Sequence, residues 1–199
     1  MIHIKKYSPW IFYPSVLCDT FPENPATKIL SGEYNFKIEM RLTLLDTLDK
    51  NATVFTILPK YCGLDIHKNM LFFTVRFEDD SSQFFQFPFA IHDGVEIDLK
   101  MVHVPKKSLI IYINDEVQLD LSLEKLGLYI DSNPCVVFGA NSFSHVDDTS
   151  NSTEMYIHEF KVYEKNKLIA HHTCEDFIFN KSIDKTGNLN FIHHKILEC

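Results

Sequence analysis

The sequence predicts an all-β fold in which two antiparallel sheets stack face to face, and two observations support this prediction. The first is strict alternation of apolar and polar residues between Tyr34 and Leu45. The apolar residues of this segment share one parity: Phe36, Ile38, Met40, Leu42 and Leu44. A period of two separates side chains onto opposite faces of a strand, whereas a helix would scatter them around its axis. The second is that similar segments recur at intervals of roughly eight to twelve residues with polar turns between them, as in sandwiches.

Four further strands are predicted in the first half of the chain. They are Ala52 to Leu58, Gly63 to His67, Met70 to Glu78 and Gln83 to Ala90. We expect turns at Lys68-Asn69 and from Asp79 to Ser82, because Asn, Asp and Ser favour turn conformations. A strand with one polar, solvent-exposed face is typical of an antiparallel sheet, since such a sheet can pack one face on the core and leave the other in water.

The second half of the chain continues the pattern. Its predicted strands are Gly94 to Val104, Ser108 to Ile113, Glu116 to Leu121, Pro134 to Gly139, Glu154 to Tyr163 and Lys167 to Thr173. Turns are expected at residues 105–107, Asn114-Asp115 and Lys165-Asn166. One helical turn is predicted from Ser122 to Gly127, with the serine as its cap and the glycine as its stop. No repeat or linker interrupts the chain, so residues 1–199 are predicted to form a single domain.

Composition excludes several classes of function. With 45% hydrophobic residues and 17 Phe, the chain has enough apolar area for a large core. Its formal net charge of −8 argues against nucleic acid as a partner, since binding phosphates requires a concentrated basic face. No stretch approaches the roughly 18 apolar residues of a membrane helix, so we expect no membrane insertion. Pro9 and Pro14 interrupt the apolar N-terminal region, and we therefore expect no signal peptide.

The five cysteines are widely and irregularly spaced, and no CxxC pair occurs. A zinc ribbon or a redox motif is therefore not predicted. We expect free thiols in a reducing cytoplasm of synthesis. The sequence leaves the final location of the protein unknown.

Four segments in order resemble the laminin G-like and other concanavalin A-like domains. Residues 108–116, SLIIYINDE, resemble the strand and turn of the family's "l-x-i-Y-I-d-G-e" hairpin, and residues 157–163, IHEFKVY, resemble its late "I-d-e-v-r-i-Y" strand. Residues 135–139 lie where the family places a short strand ending in Gly, and residues 35–40 resemble its opening strand. The resemblance covers about residues 30–175 and departs from the family by placing Asn114-Asp115 where a Gly is common.

The resemblance implies a two-sheet antiparallel jelly-roll sandwich, with the terminal segments docked on the family-like core. It also implies a non-catalytic recognition module that binds a glycan or a surface protein through rim loops or the concave face. Loops on a rigid sandwich can vary without unfolding it, which suits them to recognition.

Glucanases on this scaffold carry a strand resembling Glu-x-Asp-x-Glu, in which three carboxylates face the sugar cleft. Glu96 and Asp98 match two of these positions, but Lys100 stands where the general acid belongs. An ammonium group cannot replace the protonated carboxyl of a retaining glycosidase. The sequence therefore predicts that the protein is not an enzyme, and a glycoside hydrolase is the least favoured alternative.

Calcium is the one candidate cofactor, since related domains often hold this ion at a loop edge. Asp147 and Asp148, in a polar loop, carry the oxygen ligands that calcium prefers, and Asp79-Asp80 is the less favoured alternative pair. Solvated turn residues without an ion are the alternative interpretation, in which case the protein has no cofactor.

Aromatic rings stack on sugar faces, so exposed aromatics are candidates for ligand contact. Phe84, Phe85 and Phe87 occupy both parities of one predicted strand, and at least one should face away from the core. The predicted ligand-binding residues are Phe85, Tyr112, Tyr156 and, from the polar loop, Asn141. Packing inside the core or between sheets is the alternative for each ring.

A structural role on the same scaffold is the second functional hypothesis. The composition, rich in Ile, Lys, Asn and Phe, suits an AT-rich genome. The expected lack of a signal peptide suits a virion-associated coat, fibre or decoration protein that self-associates into a particle or an appendage.

Overall fold

The computed structural model describes residues 2–4, 10–13, 30, 32–45, 47, 51–58, 62–129, 135–139, 153–173, 177–178, 181–182 and 190–193. Among these residues regular structure consists of β-strands alone, which confirms the predicted all-β class. The strands are β1 (Ile2–Ile4), β2 (Trp10–Tyr13), β3 (Phe36–Leu44), β4 (Asn51–Leu58), β5 (Cys62–His67), β6 (Met70–Arg76), β7 (Ser82–Ala90), β8 (Val95–Val104), β9 (Ser108–Ile113), β10 (Glu116–Ser122), β11 (Cys135–Phe138), β12 (Met155–Glu164), β13 (Lys167–His172), β14 (Phe177–Ile178), β15 (Lys181–Ser182) and β16 (Asn190–His193).

The strands form two antiparallel sheets, here called sheet A and sheet B. Sheet A has the order β1-β12-β3-β8-β9-β10, and β13 also pairs with β12. Sheet B has the order β14-β15-β16-β2-β11-β4-β5-β6-β7. Strand β2 pairs with β16, so segments from the two ends of the chain meet in one sheet.

The alternation in the sequence matches the burial of side chains. Along β3 every apolar residue predicted to face inward is buried, and the polar residues between them are partly or fully exposed. The two sheets meet through large aromatic side chains. Phe138 from sheet B and Phe160 from sheet A lie edge to face, with ring centroids 5.7 Å apart and planes at 88°. The predicted sandwich is confirmed by this shared interior.

Three of the predicted hairpin turns use two residues with positive φ. These pairs are 68–69, 114–115 and 165–166, with φ between 46° and 70°. Two-residue turns of this kind match the right-handed twist of the paired strands. Asn and Asp tolerate the left-handed region better than most residues, so these turns form without glycine.

The predicted helical turn from Ser122 to Gly127 is wrong. Ser122 is the last residue of β10, and no helical turn follows it. The backbone N–H of Leu123 donates to the carbonyl of Lys107 at 2.9 Å, and that of Glu78 donates to the carbonyl of Gly127 at 2.9 Å. Leu123 is fully buried. Tertiary contacts therefore hold this segment against its neighbours in a bent, non-helical conformation.

Candidate functional site

An open groove of about 480 Å³ crosses the outer face of sheet B. It lies on strands β4, β5, β6 and β7, which are consecutive in the chain and adjacent in the sheet. Its lining residues are Asn51, Ala52, Thr53, Asp65, Ile66, His67, Phe72, Thr74 and Phe84. We call this feature the β4–β7 groove.

Strand register brings the polar side chains of the groove together. Thr53 on β4 is opposite Asp65 on β5, and Asp65 is opposite Phe72 on β6. In the next row Thr74 on β6 is opposite Phe84 on β7. Directly opposed side chains on one sheet face lie roughly 5 Å apart at Cβ. Short polar and long aromatic groups therefore share one small area.

The carboxylate of Asp65 is the central polar group of the groove. The hydroxyl of Thr53 donates to its Oδ1 at 2.8 Å, and the hydroxyl of Thr74 donates to its Oδ2 at 3.3 Å. Burial raises the pKa of Asp65 above its ordinary value of 3.8, and the two threonine hydrogen bonds oppose that shift. The two neighbouring strands thus hold a partly desolvated carboxylate in a defined orientation.

Aromatic groups form the apolar part of the groove. Phe84 is 72% exposed to solvent. Among the described residues it is one of two exposed large apolar side chains, and the other is Val117. Phe72 is half-buried and contacts the edge of the His67 ring, with centroids 5.8 Å apart. The Nδ1–H of His67 donates to the side-chain oxygen of Asn51. The groove therefore combines an exposed ring with polar groups that are already oriented.

Phe85, a predicted ligand contact, faces the other side of the same strand. It is opposite Phe73, which is fully buried, and it packs against the hydrophobic core. Among the aromatic residues of this strand whose side chains the structure describes, its neighbour Phe84 is the exposed one. The expectation that at least one ring of this strand faces outward is thus met by Phe84. Ligand contact by Phe85 stays a prediction.

The predicted ligand residues Tyr112 and Tyr156 lie on the outer face of sheet A, across the sandwich from the β4–β7 groove. The Nζ atom of Lys100 lies 4.1 Å from the centroid of the Tyr112 ring. Tyr156 packs on His3, with ring centroids 4.6 Å apart. Strands β3 and β8 separate the two tyrosines, so they do not form one site with each other.

The residues that resemble a glucanase strand share one face of β8. Glu96 and Asp98 are exposed, and they are opposite Thr43 and Arg41 on β3. The third position carries Lys100, whose Nζ lies 3.7 Å from Asp115 Oδ1.

Asn141, Asp147 and Asp148 lie outside the described residues, so their predicted roles in ligand and calcium binding stay predictions. Within the described part of the chain, no group of three or more His, Cys, Asp or Glu side chains is arranged to hold a metal ion. In that same part, no helix has the length and apolarity needed to cross a membrane.

The sequence prediction missed the polar half of the groove. Asp65 and His67 share one parity of β5, and Phe72 and Thr74 share one parity of β6. This alternation was a usable signal, because it places each pair on a single face. Polar residues on a strand usually form only its solvent-exposed face. The pattern therefore indicates a binding site only when strand register shows which polar side chains lie together.

Comparison with known proteins identifies relatives of the fold only. The sequence matches no protein family profile and no curated protein sequence. Among solved structures, a candidate carbohydrate-binding protein from Bacteroides ovatus is 13% identical with a TM-score of 0.62, and the match covers 93% of this chain and 55% of that chain. The binding domain of Paraclostridial Mosquitocidal Protein 1 is 11% identical with a TM-score of 0.54, covering 74% and 37%.

The ligand-binding domain of botulinum neurotoxin serotype D, solved with N-acetylneuraminic acid, is 12% identical to this chain with a TM-score of 0.51. That match covers 68% of this chain and 34% of the toxin chain. The chain therefore spans about a third to just over half of the length of these similar structures. At such identities the similarity shows a shared β-sandwich fold alone.

Proposed function

We propose that this protein is a non-catalytic carbohydrate-binding module and that the β4–β7 groove is its binding site. The observation that carries the proposal is the exposed ring of Phe84 next to the row that contains the oriented carboxylate of Asp65. Covering a large apolar side chain that is exposed on a sheet face removes apolar area from water, which favours ligand binding. A single exposed ring beside fixed hydrogen-bonding groups suits a ligand that is apolar on one face and polar at its edge.

A pyranose has this amphipathic character. Its C–H groups can rest on an aromatic ring, while its hydroxyls exchange hydrogen bonds with side chains around the ring. Asp65 supplies charged acceptors, and Thr53, Thr74, Asn51 and His67 supply polar groups at the same opening. Because cross-strand contacts already orient these groups, little side-chain entropy is lost when a ligand binds.

The fold supports a binding module without defining its ligand. The names of the three similar structures describe carbohydrate binding, ligand binding and, for the mosquitocidal protein, a binding domain without a stated ligand. Membership of the concanavalin A-like superfamily, with a laminin G-like subtype, is our proposal from the four resembling segments. A single domain over residues 1–199 is also a proposal, because no repeat or linker interrupts the sequence.

A glycan array probed with the wild-type protein tests the proposal. We expect binding at micromolar concentrations that is lost in Phe84→Ala. Val117→Ala is the matched control, because Val117 is the other large apolar side chain exposed among the described residues and lies on sheet A. Equal glycan binding by the wild-type protein and Phe84→Ala would place the site elsewhere. A wild-type protein that binds no glycan would refute the proposed function.

Phe84 also motivates the second candidate function, a structural protein of a virus particle or appendage. An exposed aromatic ring on a sheet face can be a contact between copies as well as a sugar platform. Light scattering separates the two functions. A large oligomer that dissociates in Phe84→Ala, together with no glycan signal, would support assembly, and a monomer that binds glycan would exclude it.

Two further proposals from the sequence have direct tests. If Asp147 and Asp148 bind calcium, a chelator will lower the melting temperature of the wild-type protein and have no effect on an Asp147→Asn, Asp148→Asn double variant. If Glu96 is catalytic in spite of Lys100, the protein will release reducing sugar and Glu96→Gln will not.

A further inference from the structure

The geometry of the β4–β7 groove points to an uncharged hexopyranose with two adjacent free hydroxyls, in preference to an acidic sugar. We infer this sugar class from the groove, and the inference depends on the proposed carbohydrate-binding function. Three features of the described residues carry it: the hydrogen bonds of Asp65, the charges of the lining and the position of the aromatic rings.

The first feature is that Asp65 binds one threonine with each carboxylate oxygen. Thr53 donates to Oδ1 and Thr74 to Oδ2, from opposite sides of β5. An ionised carboxylate has about four lone-pair sites, two on each oxygen. One further acceptor site per oxygen therefore remains for a ligand. Two acceptors side by side match two hydroxyl donors on adjacent ring carbons better than they match two separated hydroxyls.

The threonines make this arrangement directional. Each threonine hydroxyl donates its single hydrogen to Asp65, and these two hydrogen bonds restrict rotation of the carboxylate in the groove. Charge-assisted hydrogen bonds to a partly desolvated carboxylate are stronger than bonds between neutral groups. A sugar that supplies two hydroxyls to Asp65 also supplies donors to a carboxylate whose burial is only partly compensated by the threonines.

The second feature is the charge of the lining. Of the nine described residues around the groove, Asp65 carries the only carboxylate, and none is Lys or Arg. The whole chain has a formal charge of −8. A sugar acid bound with its ring on Phe84 would bring a second negative charge towards Asp65 without a lysine or arginine from this lining to pair with it. Like charges in a partly desolvated site repel, so acidic sugars are disfavoured.

The third feature is the relation between the rings and the carboxylate. Phe72 is directly opposite Asp65, and Phe84 is directly opposite Thr74 in the neighbouring row. Phe72 thus lies one strand spacing of roughly 4.8 Å from Asp65, and Phe84 lies two strand spacings away on the same side. A pyranose with its hydroxyls at Asp65 therefore lies over Phe72 and extends towards Phe84 on the next strand.

The test is isothermal titration of the wild-type protein with methyl hexopyranosides that bind on the array, with their monodeoxy analogues and with N-acetylneuraminic acid. We expect that removing the hydroxyl from either of two adjacent ring carbons lowers affinity roughly tenfold or more, as loss of a hydrogen bond to a charged group does. Deoxygenation elsewhere on the ring should have a smaller effect. This series uses the wild-type protein, so it does not depend on how a variant folds.

Asp65→Asn provides the matching protein change, because the amide keeps the shape of the carboxylate and loses its charge. It should lower affinity for the neutral sugar roughly tenfold and abolish the contrast between the two sensitive deoxy positions and the rest. Val117→Ala should bind as the wild-type protein does.

The outcomes separate the inference from the proposed function. Tighter binding of N-acetylneuraminic acid than of neutral sugars, lost in Phe84→Ala, would overturn the inference and leave carbohydrate binding in this groove intact. Sensitive positions that are not adjacent would overturn it as well. Failure of all sugars to bind would refute both.

Discussion

His103 should make the stability of this protein fall steeply in mild acid. Its side chain is fully buried, and its Nδ1–H donates to the carbonyl of Tyr34 at 2.8 Å. Its Nε2 atom has no hydrogen-bond partner among the described residues. A proton on Nε2 would therefore add a buried charge with no acceptor. Burial lowers the pKa of His103 from 6.5 to about 4, and the bond to Tyr34 opposes part of that shift.

The size of the effect follows from this pKa difference. The unfolded chain takes up the proton near pH 6.5, whereas the folded protein takes it up only near pH 4. The folded state is therefore favoured fully above pH 6.5, and this contribution is lost as the pH falls towards 4. About 2.5 pKa units at about 1.4 kcal/mol each amount to roughly 3.5 kcal/mol, of which about 3 kcal/mol is lost by pH 4.

Urea unfolding followed by circular dichroism at several pH values between 7 and 4 measures this contribution. His103→Phe cannot be protonated, so the wild-type protein should lose about 3 kcal/mol relative to this variant over that range. At pH 7 the variant should be less stable by about 1 kcal/mol, since the carbonyl of Tyr34 loses its donor. Phe36→Leu is the control, because the Phe36 ring packs on the His103 ring, with centroids 4.9 Å apart, and has no titratable group. A stability difference between wild type and His103→Phe that is the same at pH 7 and pH 4 would refute the reasoning.

Three further changes have expected outcomes that unfolding curves can check. Asp65→Asn should raise the melting temperature at pH 7. The raised pKa of Asp65 means that the ionised carboxylate destabilises the folded state at pH values above this pKa, and the neutral amide removes that penalty. An unchanged or lower melting temperature would contradict this. Phe138→Ala should cost about 3–5 kcal/mol as a fully buried ring is lost, whereas Phe84→Ala should change stability by less than about 0.5 kcal/mol, and similar losses for both would contradict the burial pattern. Lys165→Gly should stabilise the protein by about 0.5 kcal/mol, because glycine adopts the φ of 46° at this position without the strain that a side chain causes. Lys107→Gly, at an exposed turn residue without positive φ, should destabilise the protein.

Much of the fold could be predicted because alternation is a local property of a strand. Most of the predicted strand segments coincide with observed strands to within one or two residues, as for Tyr34 to Leu45 and β3. The turns at 68–69 and 114–115 were predictable because Asn and Asp tolerate positive φ. The failure at Ser122 to Gly127 has the same origin. Capping residues are a local signal, and there the tertiary hydrogen bonds of Leu123 outweighed it.

The groove was harder to predict because it depends on register. Thr53 is opposite Asp65, but a bulge between Thr53 and Phe55 shifts the pairing of β4 with β5 by one residue. An irregularity of this kind changes which side chains share a face and leaves little trace in the sequence. The aromatic strand β7 was identified as a candidate, yet parity alone could not decide which of its rings faces solvent.

The sequence by itself determined that this protein is built from antiparallel strands with one apolar and one polar face, because that alternation recurs in several of the predicted strands. The tertiary structure decided which wet-face residues meet. It placed β11 beside β4 and packed Phe138 against Phe160, and it brought Thr53, Asp65 and Thr74 from three strands to one carboxylate. The physical reason is that alternation needs only neighbours along the chain. Strand order and register are set by how two whole sheets bury their faces against each other.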